Sequence, residues 1–326
     1  MAAIAWCFHL LPNGTEAFYD DVVEMLALRS SDWHYLAWIV WLLYPIIISF
    51  LLPVLLVIFL YASALFLVIY RQRHRLKDAY QKNFWDGAKN TLAAIWDGHG
   101  RVWHGYEVDG FDNIPNEGPV LIIYYHGTIP IDVYYLMARL ILHKNRQLQC
   151  VGDRFLFKIP GFRILMEVFC VTPGTVQSGI ELMKEGHLLA ISPGGTRECL
   201  FGDLYYNMMW GKRVGFAKIA LAAKVPIIPM FTQNCREAFR SVEMGKSWFR
   251  KIYEKTRLPL IPVYGGLPVK LKTFIGAPIY CDADMTPEQV SHKVQTAVYD
   301  LIQTHQKVPG SILRSLLDRF NFSKTD

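Results

Sequence analysis

The residues best suited to chemistry lie in YYHGTIPID, residues 124–132, where His126 precedes Asp132 by six positions. This segment follows the apolar run PVLII (119–123), which is typical of a buried strand. A neutral imidazole acts as a general base when a carboxylate bound to its other ring nitrogen fixes its tautomer. Pro130 suits the first turn of a helix, so we expect Asp132 in that turn, facing His126 in the preceding loop. Taken alone, the pattern also fits a capped helix beside an unrelated histidine.

A second segment, ISPGGTRE (191–198), also follows an apolar run. Gly194 and Gly195 at a strand end can offer backbone N–H groups to an anion or to a developing oxyanion. Arg197 can pair with a phosphate, and Glu198 follows it directly. The alternative is a tight turn that carries a surface Arg–Glu pair.

Two further segments occupy comparable positions. GDRFLFKIPGF (152–162) follows a strand and carries the cations Arg154 and Lys158, which suit an anionic substrate. VPIIP (225–229) is a strand bracketed by prolines, which is also typical of an edge strand or a barrel corner.

The elements that position these segments alternate between β-rich runs and helix-period stretches. The predicted strands are PVLIIYY (119–125), QCVGD (149–153), HLLAIS (187–192), VPIIPMF (225–231) and VKLKTFI (269–275). The predicted helices are 175–186, 214–224 and 286–305, the last opening on a Thr-Pro-Glu-Gln capping box. This alternation predicts an α/β fold, a mainly parallel sheet flanked by helices, in which sites lie at strand ends.

An apolar segment precedes this region, since residues 35–70 contain no charged side chain. A single helix of that length would measure roughly 50 Å, against about 30 Å for the hydrocarbon core of a membrane. Pro45 and Pro53 interrupt the run, and we therefore predict a membrane hairpin of two apolar helical arms, either one-sided or two-pass. The basic residues of RQRHRLK, which starts at Arg71, place the rest of the chain in the cytosol by the positive-inside rule.

The sequence thus divides into five parts. They are an N-terminal tail (1–32), the hairpin (33–70), amphipathic linker helices (71–105), the α/β domain (106–310) and a C-terminal amphipathic tail (311–326). Within that last part, SILRSLLDRF (311–320) is predicted as a short helix that lies on the membrane or packs on the domain.

Composition excludes several classes of protein. The chain has 34 basic and 28 acidic side chains, and no block of interleaved basic and aromatic residues argues for nucleic acid. The six cysteines form no C-x-x-C pair and no cluster with zinc-site spacing, so no metal site is predicted. They fit buried thiols in a reducing compartment.

The order of these four segments resembles the glycerolipid acyltransferases, membrane-bound enzymes that include lysophosphatidate, monoacylglycerol and diacylglycerol acyltransferases. The resemblance covers about residues 105–306. The stretches WDGHGRVWHGYEV, KIPGF, HLLAISPGGTRE, VPIIPMFTQN and VYGGLPVKL are similar to the monoacylglycerol/diacylglycerol-acyltransferase-like branch.

The resemblance implies acyl transfer to a lipid hydroxyl, with His126 as the base and Asp132 as the group that orients it. It also implies that Gly194, Gly195, Arg197, Glu198, Arg154 and Lys158 bind substrate. The implied donor is acyl-CoA or another acyl lipid, with no bound cofactor and no metal. The implied location is the endoplasmic reticulum membrane, with the catalytic domain facing the cytosol and protein partners left open.

Two departures from the commonest family pattern sharpen these expectations. Five residues, not four, separate His126 from Asp132; inside a helix the extra residue would turn the carboxylate by about 100°. We therefore expect the extra residue to lie in a loop before Pro130. The second departure is Gly194, where phosphate-acceptor members have glutamate, and this favours a neutral acceptor, mono- or diacylglycerol. The alternatives are a lysophospholipid or wax-ester acyltransferase of the same fold, and a non-catalytic lipid-binding membrane scaffold.

Overall fold

A computed structural model describes residues 30–74, 86–282 and 284–320. Most of the predicted N-terminal tail, part of the linker with Arg75 and Lys77, and the last six residues of the C-terminal tail lie outside the described residues. The chain divides into two compact units, Met1–Ser49 and Phe50–Asp326.

The described residues form helices and strands in alternation. The α-helices are α1 Ser30–His74, α2 Asp86–His104, α3 Ile131–Lys144, α4 Phe162–Val168, α5 Val176–Lys184, α6 Gly195–Phe201, α7 Gly215–Ala223, α8 Cys235–Ala238, α9 Lys246–Thr256, α10 Pro287–His305 and α11 Ile312–Phe320. The strands are β1 Glu107–Asp109, β2 Val120–Tyr124, β3 Leu148–Gly152, β4 Val171–Pro173, β5 Leu188–Ile191, β6 Ile227–Gln233, β7 Phe239–Ser241, β8 Val263–Gly265 and β9 Lys272–Ile275.

Seven strands form one sheet in the order β1-β9-β6-β2-β5-β3-β4, and β7 and β8 form a separate antiparallel pair. Every neighbouring pair in the large sheet is parallel except β6 and β9. The predicted α/β fold with a mainly parallel sheet is therefore confirmed, and each of the five predicted strands corresponds to an observed one.

The centre of the sheet is apolar on both faces, because β2 is buried along its whole length. Val120 and Ile122 face one core, which contains side chains of α2, α3 and α4, and Leu121 and Ile123 face a second core, which contains side chains of α5, α7 and α10. A strand covered by helices on both sides needs a continuous apolar run, and PVLII supplies it.

The helix α10 shows how the sequence sets the outer layer. The Thr286 hydroxyl accepts from the N–H of Gln289, and the Gln289 side chain accepts from the N–H of Thr286, which confirms the predicted capping box. Four aliphatic residues at nearly regular helical spacing then face the core, namely Val290, Val294, Val298 and Ile302.

The structure differs from the predicted hairpin in the apolar segment. One helix, α1, runs from Ser30 to His74 through both Pro45 and Pro53. The residues between the prolines are apolar apart from Ser49 and include no glycine or charged residue for a turn, and a turn would leave backbone groups unpaired in apolar surroundings. Each proline removes only one helical hydrogen bond, which costs less than reversing the chain there. Within α1, Trp38–Tyr70 is long and apolar enough to cross a membrane.

The part of α1 from residue 50 onward belongs to the same compact unit as the sheet. Leu56, Leu60 and Leu67 are buried, and the Phe59 ring packs on Trp96 of α2 with 4.6 Å between centroids. The opposite face of this part stays exposed, so it presents apolar side chains outward while it packs on the domain.

Candidate active site

The predicted site segments converge because of the strand order. The strands β6, β2, β5 and β3 are adjacent and mutually parallel, so their carboxyl ends share one edge of the sheet. His126 follows β2, the glycine-rich segment follows β5, and the segment with Arg154 and Lys158 follows β3. Sites in parallel sheets form at this edge, as the sequence analysis expects.

The ring of His126 is partly buried and its tautomer is fixed by the backbone. Its Nδ1 lies 2.6 Å from the carbonyl oxygen of Gly127. Because a carbonyl only accepts, Nδ1 carries the proton and donates it, which leaves the lone pair on Nε2. Burial lowers the pKa of His126 to about 4, and the charge of Arg236 adds to this, while the Gly127 bond opposes it. The ring is therefore neutral at pH 7 and its Nε2 can accept a proton.

Asp132 lies in the first turn of α3, as predicted, and the extra residue lies in the loop before Pro130. Its carboxyl is buried and accepts a hydrogen bond from the Thr232 hydroxyl. Burial raises the pKa of Asp132 to about 6, and the hydrogen bonds it accepts limit that rise. Among the described contacts, no hydrogen bond joins this carboxyl to the His126 ring, so its orienting role stays a prediction.

Glu198 holds the His126 loop in place. One carboxylate oxygen accepts from the backbone N–H of His126 at 3.0 Å, and the other accepts from the N–H of Met209 at 2.8 Å. The side chain is fully buried. The neighbouring Cys199 thiol donates to the carbonyl of Thr128, so α6 fixes the loop at two points. This geometry favours a positioning role for Glu198 over the predicted contact with substrate.

Arg236 lies beside the candidate site and was not among the predicted site residues. It lies on α8, directly after β6, and only 3% of its surface is exposed. Its guanidinium donates to the Tyr125 hydroxyl at 2.6 Å, to Thr128 and to the carbonyl of Glu198. It thus joins the ends of β6, β2 and β5. The segment NCREAF gives no periodicity or motif by which a buried cation is recognised.

The glycine-rich segment is ordered by a second unpredicted arginine. Arg213 donates to the carbonyl groups of Pro193 and Gly194, both at 2.8 Å. A side chain on Gly194 would overlap that of Glu198, so only glycine fits there. The N–H of Gly195 donates to Ser192 within this turn at 3.1 Å and is therefore already used.

The other cations of the predicted site differ in their pairing. Arg197 forms an ion pair with Glu254 of α9 at 2.8 Å, which neutralises it. Arg154 and Lys158 are exposed, and among the described residues their side chains form no hydrogen bond or ion pair. Their loop is tied to the glycine-rich segment, because the Thr196 hydroxyl donates to the Asp153 carboxylate at 2.6 Å.

An apolar cavity of about 210 Å³ lies between the domain and α1. Its lining residues come from α1, α2, the start of α3 and the β7–β8 pair: Leu52, Leu55, Leu56, Phe59, His99, Trp103, His104, Ile131, Phe239 and Gly266. Ile131 is the residue before Asp132, so the cavity reaches the helix start that carries the predicted carboxylate.

Comparison with known proteins identifies the family. The acyltransferase family model matches residues 105–233, which include His126, Asp132 and Glu198. Proteins named "DGAT1/2-independent enzyme synthesizing storage lipids" are similar along nearly their whole length. The one from Bos taurus is 51% identical over 98% of this chain and 92% of its own, and the one from Homo sapiens is 51% identical over 92% and 91%.

A solved structure is also similar. It is the crystal structure of the 1-acyl-sn-glycerophosphate acyltransferase PlsC from Thermotoga maritima, at 17% identity and a TM-score of 0.47, covering 76% of this chain and 96% of that chain. This chain is 51% identical to the bovine and human enzymes over about nine-tenths of their length. It therefore belongs to the acyltransferase family and is an acyltransferase.

Proposed function

We propose that this protein is a membrane-bound O-acyltransferase that transfers a fatty acyl group to the hydroxyl of mono- or diacylglycerol, forming di- or triacylglycerol. The observation that carries the proposal is the neutral His126 ring, whose Nε2 lone pair is fixed by the bond from Nδ1 to Gly127 at the edge of the sheet. The printed name of the bovine and human relatives, which speaks of storage lipids, supports a neutral product.

His126 would act as a general base. Its Nε2 takes the proton of the acceptor hydroxyl as the oxygen attacks the carbonyl carbon of the acyl donor. The tetrahedral intermediate collapses, the bond to the leaving sulfur or oxygen breaks, and the imidazolium returns its proton to that atom. Asp132 would stabilise the imidazolium while it exists. The step needs neither a covalent acyl-enzyme nor a metal ion.

The charges around the site support a neutral acceptor. A phosphate on the acceptor would be expected to meet a cation at the glycine-rich segment. There Arg197 is ion-paired with Glu254, Arg213 donates to two carbonyl groups of the segment itself, and Arg236 is buried. Arg154 and Lys158 remain exposed on the adjacent loop, and they suit the phosphates of acyl-CoA as donor.

The apolar cavity supports a substrate dissolved in a membrane. It is bordered on one side by α1, which contains a span long enough to cross a bilayer, and on the other by Ile131. The acyl chains of a glycerolipid would enter along α1, and the endoplasmic reticulum with a cytosolic catalytic domain remains our proposed location. The basic residues that start at Arg71 favour that orientation.

The test uses purified full-length protein in vesicles with labelled diacylglycerol and either acyl-CoA or an acyl lipid. We expect His126→Ala to abolish triacylglycerol formation, because the base is removed. His292→Ala is the matched control, since His292 is an exposed histidine of α10 and should leave the rate unchanged. Unchanged product in the His126 variant would refute the mechanism.

A second arm separates the alternatives. Diacylglycerol, lysophosphatidate and a fatty alcohol are offered to the wild type in turn. Equal or faster acylation of lysophosphatidate or the alcohol would overturn the neutral-glycerolipid assignment, and absence of turnover with every acceptor would favour a lipid-binding scaffold.

A further inference from the structure

The helix α11 presents an inverted pattern of polarity. Three of its residues are exposed, and all three are large apolar ones: Leu313 (69%), Leu317 (53%) and Phe320 (67%). They lie at i, i+4 and i+7 and therefore form one stripe on the helix surface. A helix that only packs on a domain turns such a stripe inward. Among the described residues, none covers the outward stripe of α11.

The polar residues of α11 fix this orientation. Arg314 donates to the carbonyl of Pro309 at 2.7 Å, and the buried Ser315 accepts from the N–H of Lys270 at 3.1 Å through its carbonyl. Arg319 donates to the carbonyl of Val102 in α2 at 3.0 Å. Turning the stripe inward would break these bonds and bury guanidinium groups, so the helix is fixed with its apolar side outward.

The end of α2 that Arg319 contacts carries a further exposed apolar side chain. Val102, which Arg319 contacts, is 77% exposed at the end of α2. The adjacent Trp103 donates its indole N–H to the carbonyl of Gly266 at 2.7 Å. Gly266 lies against Leu52 of α1, because a Cβ added there would come within 2.7 Å of that side chain. A series of contacts along one side of the domain thus runs from α11 through α2 to α1.

We propose that Leu313, Leu317, Phe320 and Val102, which we term the α11 face, sit in the interface of a lipid bilayer. The inference goes beyond the proposed acyl transfer, since it rests on α11 and Val102 and not on His126. An exposed apolar stripe of this kind marks a partner that is itself apolar.

Charge at the rim of the α11 face selects a membrane over a protein partner. Arg314 and Arg319 flank the stripe on α11, and Arg101, whose side chain is 56% exposed and ion-paired with Asp97 at 2.7 Å, lies beside Val102. Asp318 is the one carboxylate on α11 itself and it is partly buried. An apolar stripe edged by arginines suits acyl chains below and anionic headgroups beside it.

The α11 face is tested by photocrosslinking in the full chain. The photoreactive residue benzoylphenylalanine replaces Leu317 or Phe320, both exposed, so the core is untouched. The protein is reconstituted in vesicles of phosphatidylcholine and phosphatidylserine that carry a radioactive label. Position 299 is the matched control, because Tyr299 is an exposed aromatic residue of α10, which packs on the opposite core. Position 47 in α1 reports membrane insertion itself.

We expect lipid labelling at positions 317 and 320 to exceed that at position 299 several-fold, with strong labelling at position 47. Labelling at 47 alone would overturn the α11 proposal and leave a membrane-bound enzyme. Crosslinked dimers or a protein adduct at 317 would overturn it in favour of a second copy or a protein partner. The acyl transfer rate of each variant is recorded separately, so a failure of the proposed reaction does not affect the result.

Discussion

Replacing Glu198 with glutamine distinguishes a positioning residue from a substrate ligand. In the structure both carboxylate oxygens accept backbone N–H groups, from His126 and from Met209. Glutamine keeps one acceptor oxygen and sets its amide N–H against the second donor. The variant Glu198→Gln therefore loses one hydrogen bond to a charged group and leaves a buried N–H unpaired, while its size and shape are preserved.

The expected cost follows from those contacts. A hydrogen bond to a charged group contributes about 1.5–3 kcal/mol, and removing one partner of a buried charge pair costs about 3–5 kcal/mol. Glu198 also lies beside the buried Arg236, whose charge it offsets. Since these effects overlap, we expect the free energy of unfolding to fall by roughly 3–5 kcal/mol. At about 2–4 °C per kcal/mol for a domain of this size, the melting temperature falls by roughly 6–20 °C.

The assay pairs thermal unfolding with steady-state kinetics in vesicles, below the melting temperature of the variant. Displacement of the His126 loop should reduce kcat by roughly 100-fold, with little change in KM, because misplacement of about 1 Å has that effect. Glu254→Gln is the control, since its pair with Arg197 is partly exposed and contributes only about 0–1 kcal/mol. A Glu198 variant that melts like wild type and shows only a raised KM would refute this reasoning and restore the predicted contact with substrate.

Two further predictions concern the base and the cavity. We expect kcat/KM to fall by half near pH 6 on acidification, because the buried Asp132 carboxyl, whose pKa burial raises to about 6, must be ionised, whereas His126 stays neutral down to its own pKa of about 4. The Asp132→Asn variant should be slow at every pH and should lack this fall in kcat/KM on acidification. If the variant still shows a fall at about pH 6.5, the titrating group is an ordinary histidine and not Asp132. In the cavity, Leu55→Trp should lower kcat/KM for diacylglycerol roughly tenfold or more, the effect of about 1–3 kcal/mol for a misfit in an apolar pocket. The melting temperature should be unchanged, and Leu65→Trp on the exposed part of the same helix, outside the lining, should have no effect on either quantity.

The parts of the fold that sequence reasoning predicts are those with a local or periodic cause. The five apolar runs became strands because each is bounded by residues that end a strand, and the Thr286–Gln289 capping box formed as expected. The short strands β1, β4, β7 and β8 were missed, since three residues are too few to show a period of two. Their pairing depends on neighbours distant in sequence.

The candidate site shows the same division. That sites lie where parallel strands end was predictable without coordinates, whereas the adjacency of β2, β5 and β3, which brings the three loops together, was not. The contacts of Arg236 and Arg213 were not predictable either, because each donates to carbonyl groups of a segment that is distant in sequence. An arginine in a sequence is usually predicted to lie at the surface, and only the fold reveals that the charge of Arg236 is buried.

The prediction of a hairpin in the apolar segment was wrong for a different reason. Two prolines in a long apolar run favour a bend when each is judged by its local cost. In α1 the alternative to a continuous helix is a turn made of Ile, Ser, Phe and Leu, which would expose unpaired backbone groups. The structure depends on which costs more, a proline within the helix or a turn with unpaired backbone groups. The sequence pattern shows only the cost of the prolines.

The extra residue between His126 and Asp132 affects how the tautomer of His126 is fixed. It lies in the loop, as the helix start at Ile131 requires, and in that loop the Gly127 carbonyl fixes the tautomer that a carboxylate would otherwise select. Burial lowers the pKa of His126 to about 4, and the bond to the uncharged Gly127 carbonyl opposes this only in part, so the ring is a weak base in the free enzyme. Proton transfer then requires that the imidazolium be stabilised as it forms. Both oxygens of Glu198 are already bound to N–H groups, which leaves Asp132 as the carboxylate of the predicted site that can supply the charge. The approach of the Asp132 carboxylate to the ring is therefore expected to accompany the proton transfer itself, and the fall in kcat/KM near pH 6 reports that carboxylate.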